Sequence, residues 1–165
     1  MRGRLLIFCG IPGSGKTTVA RLVADSVKDS ILVQTDGVRG MLRHPSFSGP
    51  ESRFVYDACF DIAKAALRSG YLVILDGTFM KEDYRLEARR RLKKHYSRVD
   101  TVWVACGLET AMKRNSRRPS PVPPEKVKGM YLGFQPPRRA VKVDTSRLSA
   151  EVAASRVTRA LHLNK

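Results

Sequence analysis

The 165-residue chain has one tryptophan, an aromatic content of 7%, and about half as many acidic as basic residues, 15 against 31. So few rings leave little for stacking on bases. Any nucleic acid it binds is therefore expected to be held through phosphates, with weak sequence preference and strong salt dependence. Its three cysteines, Cys9, Cys59 and Cys106, are an odd number without metal-ligand spacing. That excludes a disulfide framework or a cysteine zinc site and points to small core residues in a reducing compartment. No apolar run approaches the ~20 residues that cross a bilayer. The stretch after Met1 is too short for a signal peptide and leads directly into a motif that the mature protein needs. A cytoplasmic protein without membrane contact is expected. Repeats, low-complexity tracts and linkers are also missing, so residues 1–165 are expected to form one domain.

What is present begins with charge. A formal net charge of +16 and a pI of about 10.4 attract polyanions across solvent. Nucleic acid is the expected partner, although a solvated basic surface would have the same composition.

The run Leu5 to Cys9 reads as a buried strand and stops at Gly10, and the spacing Gly10-x4-Gly15-Lys16-Thr17 is that of a P-loop. Backbone N–H groups must reach phosphate oxygens there, and Gly10, Gly13 and Gly15 remove the side chains that would block approach. Ser14 and Thr18 complete the expected nucleotide-binding set. Lys16 is expected to reach the β- and γ-phosphates and Thr17 to ligate Mg2+, with the positive end of a helix over 17–28 adding favourable field. The expected cofactors are ATP, or another nucleoside triphosphate, and Mg2+.

Strands then alternate with helices. Strands are expected at 31–35, 71–75, 101–105 and 140–143, and helices at 82–96, 108–117 and 125–132. A helix capped at Ser48 runs on to about Leu67, and a last helix is capped at Ser149. This alternation predicts an α/β fold with a parallel sheet, helices on both faces, and ligands at the carboxyl ends of the strands. Four prolines within 119–124 forbid regular structure between two helices. A stiff basic lid is expected at about 114–133.

Asp76 ends an apolar run as a Walker B carboxylate does and is expected to hold Mg2+. Asp36, after the second strand, is the candidate general base for an attacking hydroxyl, and Arg39 one turn on is placed to grip an acceptor phosphate. Arg114 and Arg118 are four apart and would share a face of a helix long enough to hold both, closing on the triphosphate.

These motifs together resemble those of the polynucleotide 5′-hydroxyl kinases, the end-healing enzymes of phage and bacterial RNA repair. The likeness runs through the P-loop, the D-x-x-R of Asp36 to Arg39, Asp76-Gly-Thr78, and the basic hexapeptide Lys113 to Arg118. It implies a three-layer P-loop kinase fold with strand order 2-3-1-4-5. It also implies catalytic roles for Lys16, Asp36, Arg39 and Arg118, a nucleotide contact for Arg114, and acceptor contacts for Arg39, Asp76, Thr78 and Arg85. The implied partner is RNA or DNA with a 5′-hydroxyl end. Phe79 departs from the asparagine usual after that threonine, at a place that bears on acceptor contacts. Residues 1–165 contain no motif of a fused phosphatase or ligase, so repair partners are expected to be separate proteins. Two other readings stay open: a P-loop kinase for a tRNA-borne group or small metabolite, and an ATP-gated nucleic-acid-binding module.

Overall fold

The computed structural model describes residues 2–163. Its elements in order are β1 Gly3–Cys9, α1 Lys16–Asp25, β2 Ser30–Gln34, α2 Thr35–Gly40, α3 Gly49–Arg68 and β3 Leu72–Asp76. After these come α4 Glu82–Leu92, β4 Tyr96–Ala105, α5 Leu108–Asn115, α6 Pro124–Leu132, β5 Val141–Asp144 and α7 Ala150–Ala160. The sheet has five strands in the order β2-β3-β1-β4-β5, and each pairing is parallel.

Successive side chains of a strand point to opposite faces, and β1 shows what that does here. Leu5, Ile7 and Cys9 pack with Val55, Cys59, Phe60 and Leu67 of α3 and with Ala88 and Leu92 of α4. Leu6 and Phe8 pack on the other face with Val19, Ala20 and Val23 of α1 and Ala153, Ala154 and Val157 of α7. Three layers result. A smaller cluster of Ile11, Cys106, Ala111 and Val127 seats α5 and α6 beside the carboxyl edge of the sheet. All three cysteines are free and buried, and burial pushes the Cys9 thiol up to about 12 and Cys59 to about 11. No helix among the described residues is long and apolar enough to cross a membrane.

Several boundaries differ from expectation. Helix α4 ends at Leu92 and β4 begins at Tyr96, where a helix was expected to continue. Pairing with β1 decides this: Arg4 lies opposite Arg98, and Asp100 takes both guanidinium groups, at 2.7 Å from Arg4 and 3.0 Å from Arg98. Strand β2 stops at Gln34, so Thr35 and Asp36 already belong to α2. Helix α1 stops at Asp25, where the Ser26 hydroxyl donates to the Val23 carbonyl at 2.7 Å. Helix α5 stops at Asn115, whose amide turns back to bracket Val122, donating to its carbonyl at 2.7 Å and accepting from its N–H at 3.1 Å. Strand β5 is Val141–Asp144, one residue later than expected. The serine caps are as expected, with Ser48 accepting from the Glu51 N–H and Ser149 from that of Val152.

Candidate active site

Strand β1 delivers the chain to residues 10–15, which turn into the start of α1. The glycines there answer first to the protein's own backbone. A Cβ on Gly10 would lie 2.4 Å from the Val104 carbonyl oxygen, and one on Gly13 would lie 2.1 Å from that of Ala111. Gly13 also has a left-handed φ of 81°. Gly15 shares that conformation at φ 80°, but a Cβ there would meet nothing closer than 3.6 Å, so it alone of the three leaves space beside the loop. Helix α1 has no acidic residue in its first turn, so its N–H groups present an uncompensated positive end. Lys16, Thr17 and Thr18 stand on that turn, and the buried Ser14 hydroxyl has no hydrogen-bond partner.

Asp76 is the hub, with 3% of its surface exposed. The sheet register sets it level with Phe8 on one side and Gln34 on the other. The Thr17 hydroxyl donates to Asp76 Oδ2 at 2.7 Å, and the Gln34 amide donates to the same oxygen at 3.0 Å. Lys16 Nζ lies 3.1 Å from Oδ1, which takes no well-directed hydrogen bond. Burial raises the carboxyl's pKa, but the Lys16 charge and the Gln34 and Thr17 hydrogen bonds outweigh it and hold the group below its ordinary value. A hydroxyl and a buried carboxylate with an unsatisfied oxygen are hard donors suited to Mg2+. Among the described residues no group of three or more His, Cys, Asp or Glu side chains could hold a metal by itself. An ion bound here would take its remaining ligands from phosphate and water, as Mg2+ commonly does.

Across the cleft, the Asp36 side chain is 68% exposed on the first turn of α2 and accepts from Arg118 Nη2 at 3.0 Å. Arg118 lies in the turn after α5, so it and Arg114 do not share a helix. They diverge: Arg114 donates to the Thr145 hydroxyl and carbonyl, both at 2.9 Å. Thr145 in turn donates to the Ser14 carbonyl at 2.7 Å, which ties α5 and the segment after β5 to the phosphate loop. Gly15, Thr18, Arg114, Thr145 and Leu148 are among the residues lining a cavity of about 190 Å3 beside that loop.

Arg39 pairs with the Glu51 carboxylate, donates to the Ser52 hydroxyl at 3.3 Å and lies 4.7 Å from the Phe47 ring centre. Glu51 is held below its ordinary carboxyl value first by the Ser46 backbone N–H, and its burial only partly opposes this. The Thr78 carbonyl accepts from the Gly10 N–H at 3.2 Å, and Phe79, at φ 39°, buries its ring against Tyr56 at 5.3 Å. Arg85, which the resemblance assigned to the acceptor, is 1% exposed. Its guanidinium donates to the Phe79 and Gln135 carbonyls, each at 2.6 Å, and to Glu82 at 2.6 Å. In this structure it holds the Phe79 loop to the Gln135 segment.

Sequence reasoning missed Gln34, Thr145, Asn115 and Glu51. Gln34 was legible as the polar end of an apolar strand, and Asn115 lies inside the basic hexapeptide. Thr145 carries no local signal.

Residues 5–137 match the family model described as an AAA domain. The L-seryl-tRNA(Sec) kinase of Methanococcus maripaludis is 28% identical over 137 residues, which cover 81% of this chain and 53% of that protein. The chain thus spans about half the length of this curated relative. A sugar kinase from Janibacter superposes with a TM-score of 0.75 at 20% identity, covering 98% of this chain and 95% of that one. A chain of the Pnkp1/Rnl/Hen1 RNA repair complex superposes with a TM-score of 0.71 at 21% identity, covering 86% of this chain and 50% of that one. At these identities the structural likenesses establish the fold, that of the P-loop kinases.

Proposed function

The chain belongs to the AAA-domain family, and from that premise we propose that it is an ATP-dependent phosphotransferase whose acceptor is a hydroxyl at the end of an RNA or DNA strand, the 5′-hydroxyl in the first instance. The observation that carries the reading is the exposed Asp36 carboxylate, two residues past the carboxyl end of β2, with Arg118 of the 116–123 connection 3.0 Å away. A carboxylate so placed takes the proton of an acceptor hydroxyl as its oxygen attacks. Arg39, one turn along α2, grips the phosphate next to that hydroxyl, which requires exchanging its Glu51 contact for the acceptor. Lys16 and Arg114 bind the nucleotide, and the cavity of about 190 Å3 beside Gly15 and Thr18 is assigned to its base and sugar. ATP with Mg2+, held by Thr17 and Asp76, supplies the γ-phosphoryl group when bound. Residues 114–133 act as a lid, with Asn115 stapling its loop and Arg118 bringing positive charge to the reacting side.

A second reading, a hydroxyl borne on tRNA, is favoured by the 28% identity to a protein named for such a substrate. The two separate in one assay. With labelled ATP, 5′-hydroxyl oligonucleotides and serine-charged tRNA offered in parallel, the end kinase labels the oligonucleotides and loses that activity in Asp36→Asn. Label on the charged tRNA alone would make the second reading the right one.

A further inference from the structure

One group of exposed cations lies at the opposite edge of the sheet. Three chain segments converge there. Gly3 lies opposite Tyr96 in the β1–β4 pairing, and a Cβ on Gly3 would sit 2.1 Å from the Tyr71 carbonyl oxygen and 3.2 Å from the Leu67 Cα. The chain neighbours of these touching residues are Arg2, Arg68 and His95. Lys64 lies one turn before Arg68, and Lys93 and Lys94 lie just before His95.

Arg2, Lys64, Arg68, Lys93 and Lys94 are all exposed, and none makes an ion pair among the described residues. Of the carboxylates nearby, Asp100 is taken by Arg4 and Arg98, and Asp57 and Glu87 by Arg53 and Arg91, whereas Asp29, whose carbonyl accepts from the Leu72 N–H at 2.9 Å, and Asp61 make no ion pair among the described residues. Asp61 is the one acid on the last two turns of α3. The negative ends of α3 and α4 favour single cations, but Arg2 belongs to neither helix and Lys94 lies beyond the end of α4. Partial burial and, after it, the charges of Lys64, Arg68, Arg2 and Lys94 push the His95 imidazole below its ordinary value.

We propose that this amino-edge cluster is a second nucleic-acid contact, which holds the phosphate backbone of the acceptor strand away from the end being phosphorylated. Five like-charged side chains kept together against two unpaired carboxylates, Asp29 and Asp61, suit a polyanion, whose binding releases its condensed counterions. The seven residues of β1 set the two edges about 23 Å apart, roughly seven nucleotides of stacked strand. Short acceptors therefore reach only the cleft, and longer ones reach both.

The test compares wild type with Lys64→Glu/Arg68→Glu/Lys94→Glu in equilibrium binding of 6-nucleotide and 24-nucleotide 5′-hydroxyl RNAs across a salt series. The variant is expected to bind the 24-mer at least tenfold more weakly, with the slope of log K against log salt reduced by about two to three. Its affinities for the 6-mer and for ATP should stay within twofold of wild type. Lys64→Gln/Arg68→Gln/Lys94→Gln should show a smaller change of the same sign. In wild type, the 24-mer should raise the His95 pKa measured by NMR. Equal loss for both RNAs, no loss for either, or sensitivity of the variant only to anionic phospholipid vesicles would overturn the proposal. Only the benefit of length to phosphate transfer rests on the end-kinase reading. Binding of the 24-mer through these cations with no phosphate transferred would refute that reading and leave this one standing.

Discussion

Replacing Arg85 with methionine separates two roles for a residue that sequence resemblance and structure place differently. Methionine keeps most of the apolar stem and removes the guanidinium. The buried Phe79 carbonyl and the part-buried Gln135 carbonyl then lose partners at 2.6 Å, the first at a cost of about 1–3 kcal/mol and the second, within reach of water, at about 1 kcal/mol. The Glu82 pair adds little, since that carboxylate is 41% exposed. The sum is about 3 kcal/mol, which for a chain of this size lowers the melting midpoint by about 6–12 °C. Arg85→Lys should recover only part of it, because one ammonium cannot serve carbonyls in separate directions as a planar fork does. The assay is thermal unfolding by circular dichroism, with acceptor KM measured below the transition. A midpoint within about 3 °C of wild type, accompanied by a raised acceptor KM, would refute the positioning role and return Arg85 to the acceptor site.

Asp36→Asn should lower phosphate transfer by about 10^2–10^4-fold and leave ATP binding intact, checked by single-turnover kinetics beside equilibrium nucleotide binding. Gly13→Ala should destabilise the protein by about 2–5 kcal/mol in urea unfolding, because its Cβ meets the Ala111 carbonyl at a left-handed φ. Gly129→Ala, inside α6 with nothing within 4 Å of the added carbon, should instead stabilise by up to about 1 kcal/mol. Asp76 has a depressed pKa in the folded state, so its contribution is present above the ordinary carboxyl value and is lost as pH falls from about 4 toward the lower folded value. The unfolding midpoint of wild type should therefore drop more steeply in that window than that of Asp76→Asn.

Much of the fold was legible because its signals are local. The apolar runs of β1 and β3 mark strands buried on both faces, and Ser48 and Ser149 announce helix starts that the structure keeps. The amino half of β4 was not legible. Residues 96–100, Tyr-Ser-Arg-Val-Asp, have neither a continuous apolar run nor strict alternation, and what pairs them with β1 includes Asp100 meeting Arg4, 96 positions away. The order 2-3-1-4-5 came from resemblance and agrees with the structure, since periodicity says nothing of which strands are neighbours. At the site, the P-loop, Asp76 and Asp36 come together at one edge because each follows a parallel strand. The glycines have a second reason: Gly10 and Gly13 are required by carbonyls of β4 and α5, contacts between segments that no local pattern records. Arg114 and Arg118 read as one helical face, but Asn115 ends the helix between them.

The most direct test of the central claim follows label from γ-labelled ATP, in the presence of Mg2+, onto matched 5′-hydroxyl RNA and DNA strands, with 5′-phosphorylated strands and Asp36→Asn as controls. Label on the 5′-hydroxyl strands alone, lost in Asp36→Asn, is the predicted result. ATP bound normally with no label on any strand would contradict the account.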